Sequence, residues 1–253
     1  MRTALFAFAG LLLISTGASG QAVKATPLIP GDQVAVSIAD TWNSVTGKLW
    51  LLDKQNNGEW KVSNGPWRVI YGKNGLAWGI GINPPQKGIQ KVERDKRAPA
   101  GIFKIGTVYS NQAKPLKGAE NWPFYQVTTS DAWIDNPKLP NYNHIIRINP
   151  ANPPAWFKDQ RMKPEDPTYT WRILIEHNYP DAKPGMGSAI FFHFQRGENI
   201  PSAGCTVMPV NNIETLLRWL DPVGKPVLVQ LPQEEYIRLS KSWGLPDPKL
   251  LGL

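Results

Sequence analysis

Cysteine and histidine are both scarce in this chain of 253 residues, which contains one cysteine, Cys205, and three histidines. A single cysteine excludes a disulfide framework within the chain. The histidines lack a ligand spacing such as i, i+4, and a zinc site normally needs three or four ligands. The sequence also contains no Gly-rich phosphate loop and no Gly-x-Ser-x-Gly pattern of a serine hydrolase. We therefore expect no metal and no cofactor.

Long apolar runs are absent too, apart from one stretch at residues 4–14. Arg2 precedes this stretch and small residues follow it at 18–20, a pattern typical of a secretory signal peptide over residues 1–20. The run is shorter than the roughly 20 residues that a membrane span requires, and no cysteine follows it that could carry a lipid. We expect export to the periplasm or the cell wall with no stable membrane insertion after cleavage; an uncleaved anchor is the alternative.

The net charge of +8 comes from scattered basic residues rather than from a cluster. An exported basic protein suits an anionic polymer such as the cell wall, although solubility alone also explains the charge. Because no nucleic-acid motif accompanies the charge, we expect no nucleic-acid partner.

Glycine and proline are abundant, at 22 and 24 residues, which favours strands, turns and long loops over a helical bundle. The chain also has 11 tryptophans, and hydrophobic residues make up 42% of it, enough for a substantial core. We expect a mainly β fold, a β-rich α+β domain over residues 21–253. Short β-branched or aromatic segments bounded by turn residues predict strands near residues 48–54, 67–71, 102–109, 144–148, 170–177, 190–195 and 226–231.

Two helices are predicted towards the C-terminal end of the sequence. Asn211 or Asn212 can cap the first helix, which Asp221 and Pro222 end. Pro232 is tolerated in the first turn of the second helix.

The segment of residues 110–167 is dense in proline, asparagine and tryptophan and shows little regular patterning. Loops of that length are uncommon unless they are functional. We expect this segment to form a lid or wall over the site, with Trp133, Tyr142 and Asn143 closest to the reactive residues.

Cys205 stands out because an unpaired thiol in an exported protein is open to oxidation. It follows His193, which ends the apolar run 189–193, and pairing with a protonated histidine would lower the pKa of a thiol. Gly204 permits a tight bend that would direct the backbone N–H groups of Ala203, Gly204 and Cys205 at an oxyanion. An inert buried thiol and a core histidine are the structural alternatives.

Residues 187–209 resemble the L,D-transpeptidase catalytic domain, also called the YkuD domain. The family signature is a strand ending in His, a variable loop and Ser/Thr-His-Gly-Cys, and Ser202-Ala203-Gly204-Cys205 corresponds to the last part. Residues 98–105 resemble the Thr-Pro-x-Gly-x-Phe segment of the family. Residues 91–95 and 133–143 resemble a branch in which the domain makes up the whole mature protein.

The resemblance covers residues 45–231 and implies a YkuD-like β-sandwich or barrel with a few short helices and a long loop insertion. It implies that Cys205 is the nucleophile, that His193 is the general base and acid, and that the backbone carbonyl of Phe194 orients His193. It also implies acylation of Cys205 by carbapenem-type β-lactams. The chain departs from the family pattern at Ala203, which replaces a histidine, and at Val207, which replaces an arginine.

On this resemblance we expect a monomeric peptidoglycan L,D-transpeptidase, in which Cys205 forms a thioester with one stem peptide and an amine of a second stem peptide resolves it. The alternatives are an L,D-carboxypeptidase, in which water resolves the thioester, and a wall-binding module without catalysis. We expect substrate contacts from the wall and from a second strand end, although a structural role is the alternative for His177. The expected contact residues are Trp133, Tyr142, Asn143, His177 and Asn178.

Overall fold

The computed structural model describes residues 27–253, so the predicted signal peptide lies outside the described residues. The described part is built mainly of strands, which confirms the mainly β prediction. The strands are β1 Gln33–Ala39, β2 Thr46–Lys54, β3 Trp60–Ile70, β4 Leu76–Trp78, β5 Ala98–Ser110, β6 Phe124–Gln126, β7 Asp131–Trp133, β8 Ile145–Arg147, β9 Trp171–Ile175, β10 Phe191–Phe194, β11 Thr206–Met208 and β12 Val227–Pro232. The helices are α1 Phe157–Gln160, α2 Val210–Trp219 and α3 Gln233–Trp243.

Eight of the strands close into a barrel. Their order is β12-β1-β2-β3-β11-β10-β9-β5, and the ring closes because β12 pairs with β1 on one side and with β5 on the other. The pairs β1–β12 and β10–β11 are parallel, whereas the other neighbours in the ring are antiparallel. Strands β4 and β6 pair with β5, and β7 pairs with β8 in a separate two-stranded sheet.

At β9 and β10 the two faces of the sheet contact two different apolar clusters, because successive side chains of a strand point to opposite faces. Ile173 of β9 and Phe192 of β10 belong to the main core together with buried residues of the other barrel strands. Leu174 and Phe191 belong to a second cluster on the outer face. That cluster includes Trp133, so the 110–167 segment packs against the outside of the barrel.

The predicted strands all overlap observed ones, but β1 was missed. All seven residues of β1 are buried, because the strand lies between β2 and β12 with both faces covered, and this removes the alternation of polarity that reveals a strand. Strands β4, β6, β7 and β11 have three residues each, too few for a periodicity.

Both predicted helices are present, with corrections to their caps. Pro209 occupies the N-cap position of α2 with no side-chain cap, so neither Asn211 nor Asn212 caps this helix. Pro232, expected in the first turn of the second helix, instead ends β12 and occupies the N-cap position of α3.

A buried amide inside the barrel connects β11 to the opposite strands. Thr206 Oγ1 donates to Gln230 Oε1 at 2.8 Å, and Gln230 Nε2 donates to the carbonyl of Pro99 at 2.8 Å. Thr206 directly follows Cys205 in the chain, so this link fixes the strand that carries the thiol from its inner side.

We expect Gln230→Leu to lower the free energy of unfolding by at least about 2 kcal/mol, because it leaves the Thr206 hydroxyl and the Pro99 carbonyl without a partner in the barrel interior. Urea unfolding measures the change. The control is Gln112→Leu, at an exposed glutamine, for which we expect a change within about 0.5 kcal/mol. Equal effects of the two substitutions would contradict the structural importance of this link.

Candidate active site

The register of β10 and β11 brings Cys205 and His193 onto one face of the sheet. Phe192 is the partner of Thr206 and His193 is the partner of Val207. Cys205, one residue before Thr206, therefore lies beside Phe191, on the outer face that Phe191 shares with His193. The two residues are diagonal neighbours on adjacent parallel strands.

His193 is held in one tautomer by the backbone. Its Nδ1 lies 2.9 Å from the carbonyl oxygen of Phe194, and because a carbonyl only accepts, Nδ1 carries the proton. This leaves Nε2 with a free lone pair. The ring is 5% exposed and packs edge-on against Tyr169, with the ring centroids 4.9 Å apart. Burial lowers the pKa of His193 to about 4, so the imidazole is neutral at pH 7.

The thiol of Cys205 donates to the carbonyl of Ala189 at 3.5 Å. Burial raises the pKa of Cys205 to about 11, although a backbone hydrogen bond from Phe191 and the positive charges of Lys91 and Arg172 lower it in part. The resting pair is therefore a neutral thiol beside a neutral imidazole. This differs from the expected thiolate and imidazolium, because burial of the two groups disfavours both charged forms.

The turn before Cys205 is shaped by Gly204, whose φ is +149°. A Cβ there would lie 3.0 Å from the carbonyl oxygen of Arg97, and L side chains rarely adopt this φ, so any substitution of Gly204 is strained. Ser202 Oγ donates to the carbonyl of Cys205 at 2.6 Å and accepts from the N–H of Gly204 at 3.0 Å. The N–H of Gly204 is thus already engaged, which corrects the expectation that it is a free oxyanion donor. Ala203 is exposed at the tip of the turn.

Cys205 lines a pocket of about 210 Å³ between the barrel and the 110–167 segment. The segment contributes Trp133, Asp135 and residues 159–163. The barrel side consists of Tyr169, Arg172, Ala189, Phe191 and Cys205. The structure therefore places the segment on the same side of the barrel as Cys205, as a wall of its pocket. His193 does not itself line the pocket, but Tyr169, which packs on it, does.

Asn143 does not line this pocket, which corrects its predicted substrate contact. It is 1% exposed, and its side chain is used entirely within the protein. Its Oδ1 accepts from Trp133 Nε1 at 3.0 Å and from the N–H of Ala189 at 2.9 Å. Its Nδ2 donates to the carbonyls of His177 at 3.1 Å and Asn178 at 2.7 Å. Asn143 therefore ties the wall to the barrel.

His177 and Asn178 are buried as well and are not lining residues. His177 Nδ1 accepts from the N–H of Ile80 at 3.1 Å and its Nε2 donates to the carbonyl of Met186 at 2.9 Å, so both ring nitrogens are used. Burial lowers the pKa of His177 to about 3. The Asn178 side chain bonds to the backbone of Lys183 and Gly187. Both residues have a structural role instead.

Tyr142 is the fourth expected contact that the structure does not bring to the pocket. Its buried hydroxyl donates to Glu93 Oε2, which also accepts from Ser188 Oγ at 2.7 Å. Of the five predicted contact residues, Trp133 alone lines the pocket.

Sequence reasoning missed Arg172, Tyr169 and Asp135, all of which line the pocket. For Arg172 a signal was available, because it is one charged residue within the apolar strand 171–175. Arginine is almost never fully buried unless it is paired, so a buried arginine in such a strand indicates a specific structural or functional role.

Within residues 27–253, no group of three or more His, Cys, Asp and Glu side chains is arranged to hold a metal ion. The same residues include no helix that is both long and apolar enough to cross a membrane.

Comparison with protein families gives one match. The model of the L,D-transpeptidase catalytic domain, YkuD, matches residues 41–229, which include every residue of the pocket and the whole 110–167 segment. No curated protein and no solved structure matches the chain.

The raised pKa of Cys205 predicts slow alkylation at neutral pH. With a pKa of about 11 the thiolate is about one part in ten thousand at pH 7. We expect the iodoacetamide rate constant to rise about tenfold per pH unit from pH 6 to 9 without a plateau. N-acetylcysteine, measured in parallel, serves as the unperturbed control. A rate that is already constant between pH 6 and 7 would indicate a preformed thiolate and would contradict the neutral pair.

Proposed function

Because this chain belongs to the L,D-transpeptidase catalytic domain family, YkuD, we propose that it is an exported peptidoglycan L,D-transpeptidase that acts through a thioester on Cys205. The observation that carries the proposal is the placement of the pocket thiol on the same sheet face as its diagonal neighbour His193, whose Nδ1 is held by the carbonyl of Phe194. The active unit is the mature chain from residue 21, as a monomer.

In the first half of the reaction, the sulfur of Cys205 attacks the carbonyl carbon of an L,D-peptide bond in the donor stem peptide. His193 Nε2 takes the thiol proton as the C–S bond forms, and the carbonyl oxygen becomes an oxyanion. The imidazolium then protonates the leaving amine as the C–N bond breaks, which leaves a thioester. The hydrogen bond to Phe194 supports this step, because it favours the protonated form of His193.

The neutral resting pair fits this order of events. Charge separation occurs only when the sulfur attacks, so groups that stabilise charge act on the transition state rather than on the resting enzyme. Lys91 and Arg172 are buried cations that favour the anionic form of Cys205. We assign stabilisation of the oxyanion to the N–H groups of Ala203 and Cys205, because the N–H of Gly204 already donates to Ser202 Oγ.

In the second half, an amine of another stem peptide attacks the thioester, and its proton returns by way of His193 to the sulfur. The amine has to compete with water, and an enclosed site that positions the acceptor provides that advantage. The wall formed by the 110–167 segment supports selection of the amine, because it encloses the side of the pocket opposite the barrel. Resolution by water would make the protein an L,D-carboxypeptidase instead.

We expect intact-protein mass spectrometry to show one covalent carbapenem adduct on the wild-type protein and none on Cys205→Ala. Replacing His193 by Asn should lower the acylation rate by about two to four orders of magnitude, the usual scale for losing general acid–base help. His144→Ala is the control, because His144 contacts Tyr142 and Tyr179 outside the pocket and its loss should affect stability alone. Equal acylation rates for the His193 and His144 variants would contradict the role of His193.

The reaction itself is tested by incubating the purified protein with stem-peptide substrates and analysing the products by mass spectrometry. Cross-linked dimers that depend on Cys205 are expected. Hydrolysed monomers without dimers would identify a carboxypeptidase, and unchanged substrate with an unmodified thiol would identify a non-catalytic wall-binding module.

A further inference from the structure

A buried ion pair lies next to the turn that carries Cys205, outside the pocket. Lys91 Nζ donates to Asp95 Oδ1 at 2.8 Å, and the two side chains are 3% and 12% exposed. Neither residue lines the pocket. A buried ion pair is weak evidence for a gain in stability, because desolvation of the two charges can cost more than their attraction returns. Its position therefore has to be explained by something other than stability.

Asp95 holds this pair in one place. Its Oδ1 also accepts from the N–H of Arg97 at 2.9 Å, and its Oδ2 accepts from the N–H of Val92 at 3.0 Å. The backbone carbonyl of Asp95 accepts from Asn74 Nδ2 at 2.8 Å. Because the carboxylate is fixed by backbone groups of its own loop, the ammonium of Lys91 that is bonded to it is fixed as well.

Two glycines leave the space that the Lys91 side chain occupies. A Cβ on Gly187 would lie 2.9 Å from Lys91 Cε, and a Cβ on Gly204 would lie 3.6 Å from Lys91 Nζ. Gly187 stands two residues before Ala189, whose carbonyl accepts from the thiol, and Gly204 directly precedes Cys205. The ammonium therefore ends close to the backbone segments that hold the sulfur.

The ammonium of Lys91 is not fully used by its partner. Of its three N–H groups, one donates to Asp95, and within residues 27–253 it has no second hydrogen-bond partner. Its positive charge lowers the pKa of Cys205 in part and contributes to the low pKa of His177. Since that low pKa keeps His177 neutral, His177 neither balances nor adds to the charge of Lys91.

The sulfur of Cys205 faces other ionisable groups as well. Arg172 and Tyr169 lie on the pocket side, and His193 is the diagonal neighbour on β10. Lys91 differs from the first two, because it does not line the pocket and its charge acts from outside it. A cation in that position is not displaced when a ligand fills the pocket.

We propose that Lys91 is a positioning residue that acts through Cys205: its ammonium, fixed by Asp95 beside the turn, stabilises the negative charge that develops on the sulfur. A cation held near a thiol favours the thiolate. Asp95 keeps this cation in place and keeps it protonated in a buried site. The inference rests on the proposed function in one respect, that Cys205 is the nucleophile.

Alkylation of Cys205 by iodoacetamide tests the inference without any substrate. We expect Lys91→Met, which keeps most of the aliphatic chain and removes the charge, to lower the rate constant about threefold at every pH from about 7 to 9. A pKa rise of about one unit reduces the thiolate about tenfold, and the more basic thiolate regains a factor of about three in nucleophilicity. A residue that only supports the fold would leave this rate unchanged, or would raise it by loosening the site.

Lys91→Met leaves the carboxylate of Asp95 buried without its partner, which can unfold the protein. The double variant Lys91→Met/Asp95→Asn removes both charges and keeps one side-chain oxygen for the loop. We expect it to melt at a higher temperature than the single variant and to show the same slower alkylation. Lys104→Met is the control, because Lys104 is exposed and does not line the pocket, and its alkylation rate should equal that of the wild type.

Unchanged or faster alkylation in both variants of Lys91, or an equal slowing in Lys104→Met, would overturn the inference. Carbapenem acylation of the same variants should slow together with alkylation. Acylation at the wild-type rate despite slower alkylation would also overturn it, because Lys91 would then not act on the nucleophile during the reaction. A wild-type protein that is never acylated would refute the proposed function, whereas slower alkylation of the Lys91 variants would still show that Lys91 acts on the sulfur.

Discussion

The buried side-chain amide of Asn143 is the interaction on which the geometry of the site depends. Asn143 has a left-handed backbone with φ of +59°, which asparagine tolerates better than most residues. Its hydrogen bonds join Trp133 on the wall to the N–H of Ala189 before β10. The carbonyl of that same Ala189 accepts from the thiol of Cys205. One side chain therefore connects the wall, the entry to β10 and, through Ala189, the sulfur of Cys205.

Enclosure of the site has two opposite consequences for its chemistry. The same burial that excludes water raises the pKa of Cys205 and lowers that of His193, so the pair rests uncharged. The positive charges of Lys91 and Arg172 lower the pKa of Cys205 in part, and in the proposed reaction they would stabilise the negative charge that develops on the sulfur. Low polarity strengthens such interactions in the transition state. In the proposed reaction, the thiol would stay uncharged until a substrate carbonyl arrives.

The features of the site that depend on local sequence patterns could be predicted from the sequence. The strand that carries His193, the bend at Gly204 and the long segment with Trp133 were predicted from local sequence signals, and the family resemblance was confirmed. The structural roles of Asn143 and His177 could not be predicted from the sequence, because their hydrogen-bond partners are backbone groups far away along the chain. The raised pKa of Cys205 could not be predicted from the sequence either, because it follows from burial that only the closed barrel and its wall create.

The central claim, a neutral thiol beside a pre-oriented neutral imidazole, is tested most directly by ¹⁵N NMR of the three histidine rings at pH 7. We expect His193 to be neutral with its proton on Nδ1, donated to the carbonyl of Phe194. His177 serves as an internal reference, because its bonds to Ile80 and Met186 require the opposite tautomer, with the proton on Nε2. The Cys205→Ala variant should leave both patterns unchanged at this pH. An imidazolium signal from His193 at pH 7 that disappears in Cys205→Ala would show a thiolate–imidazolium pair and contradict the account.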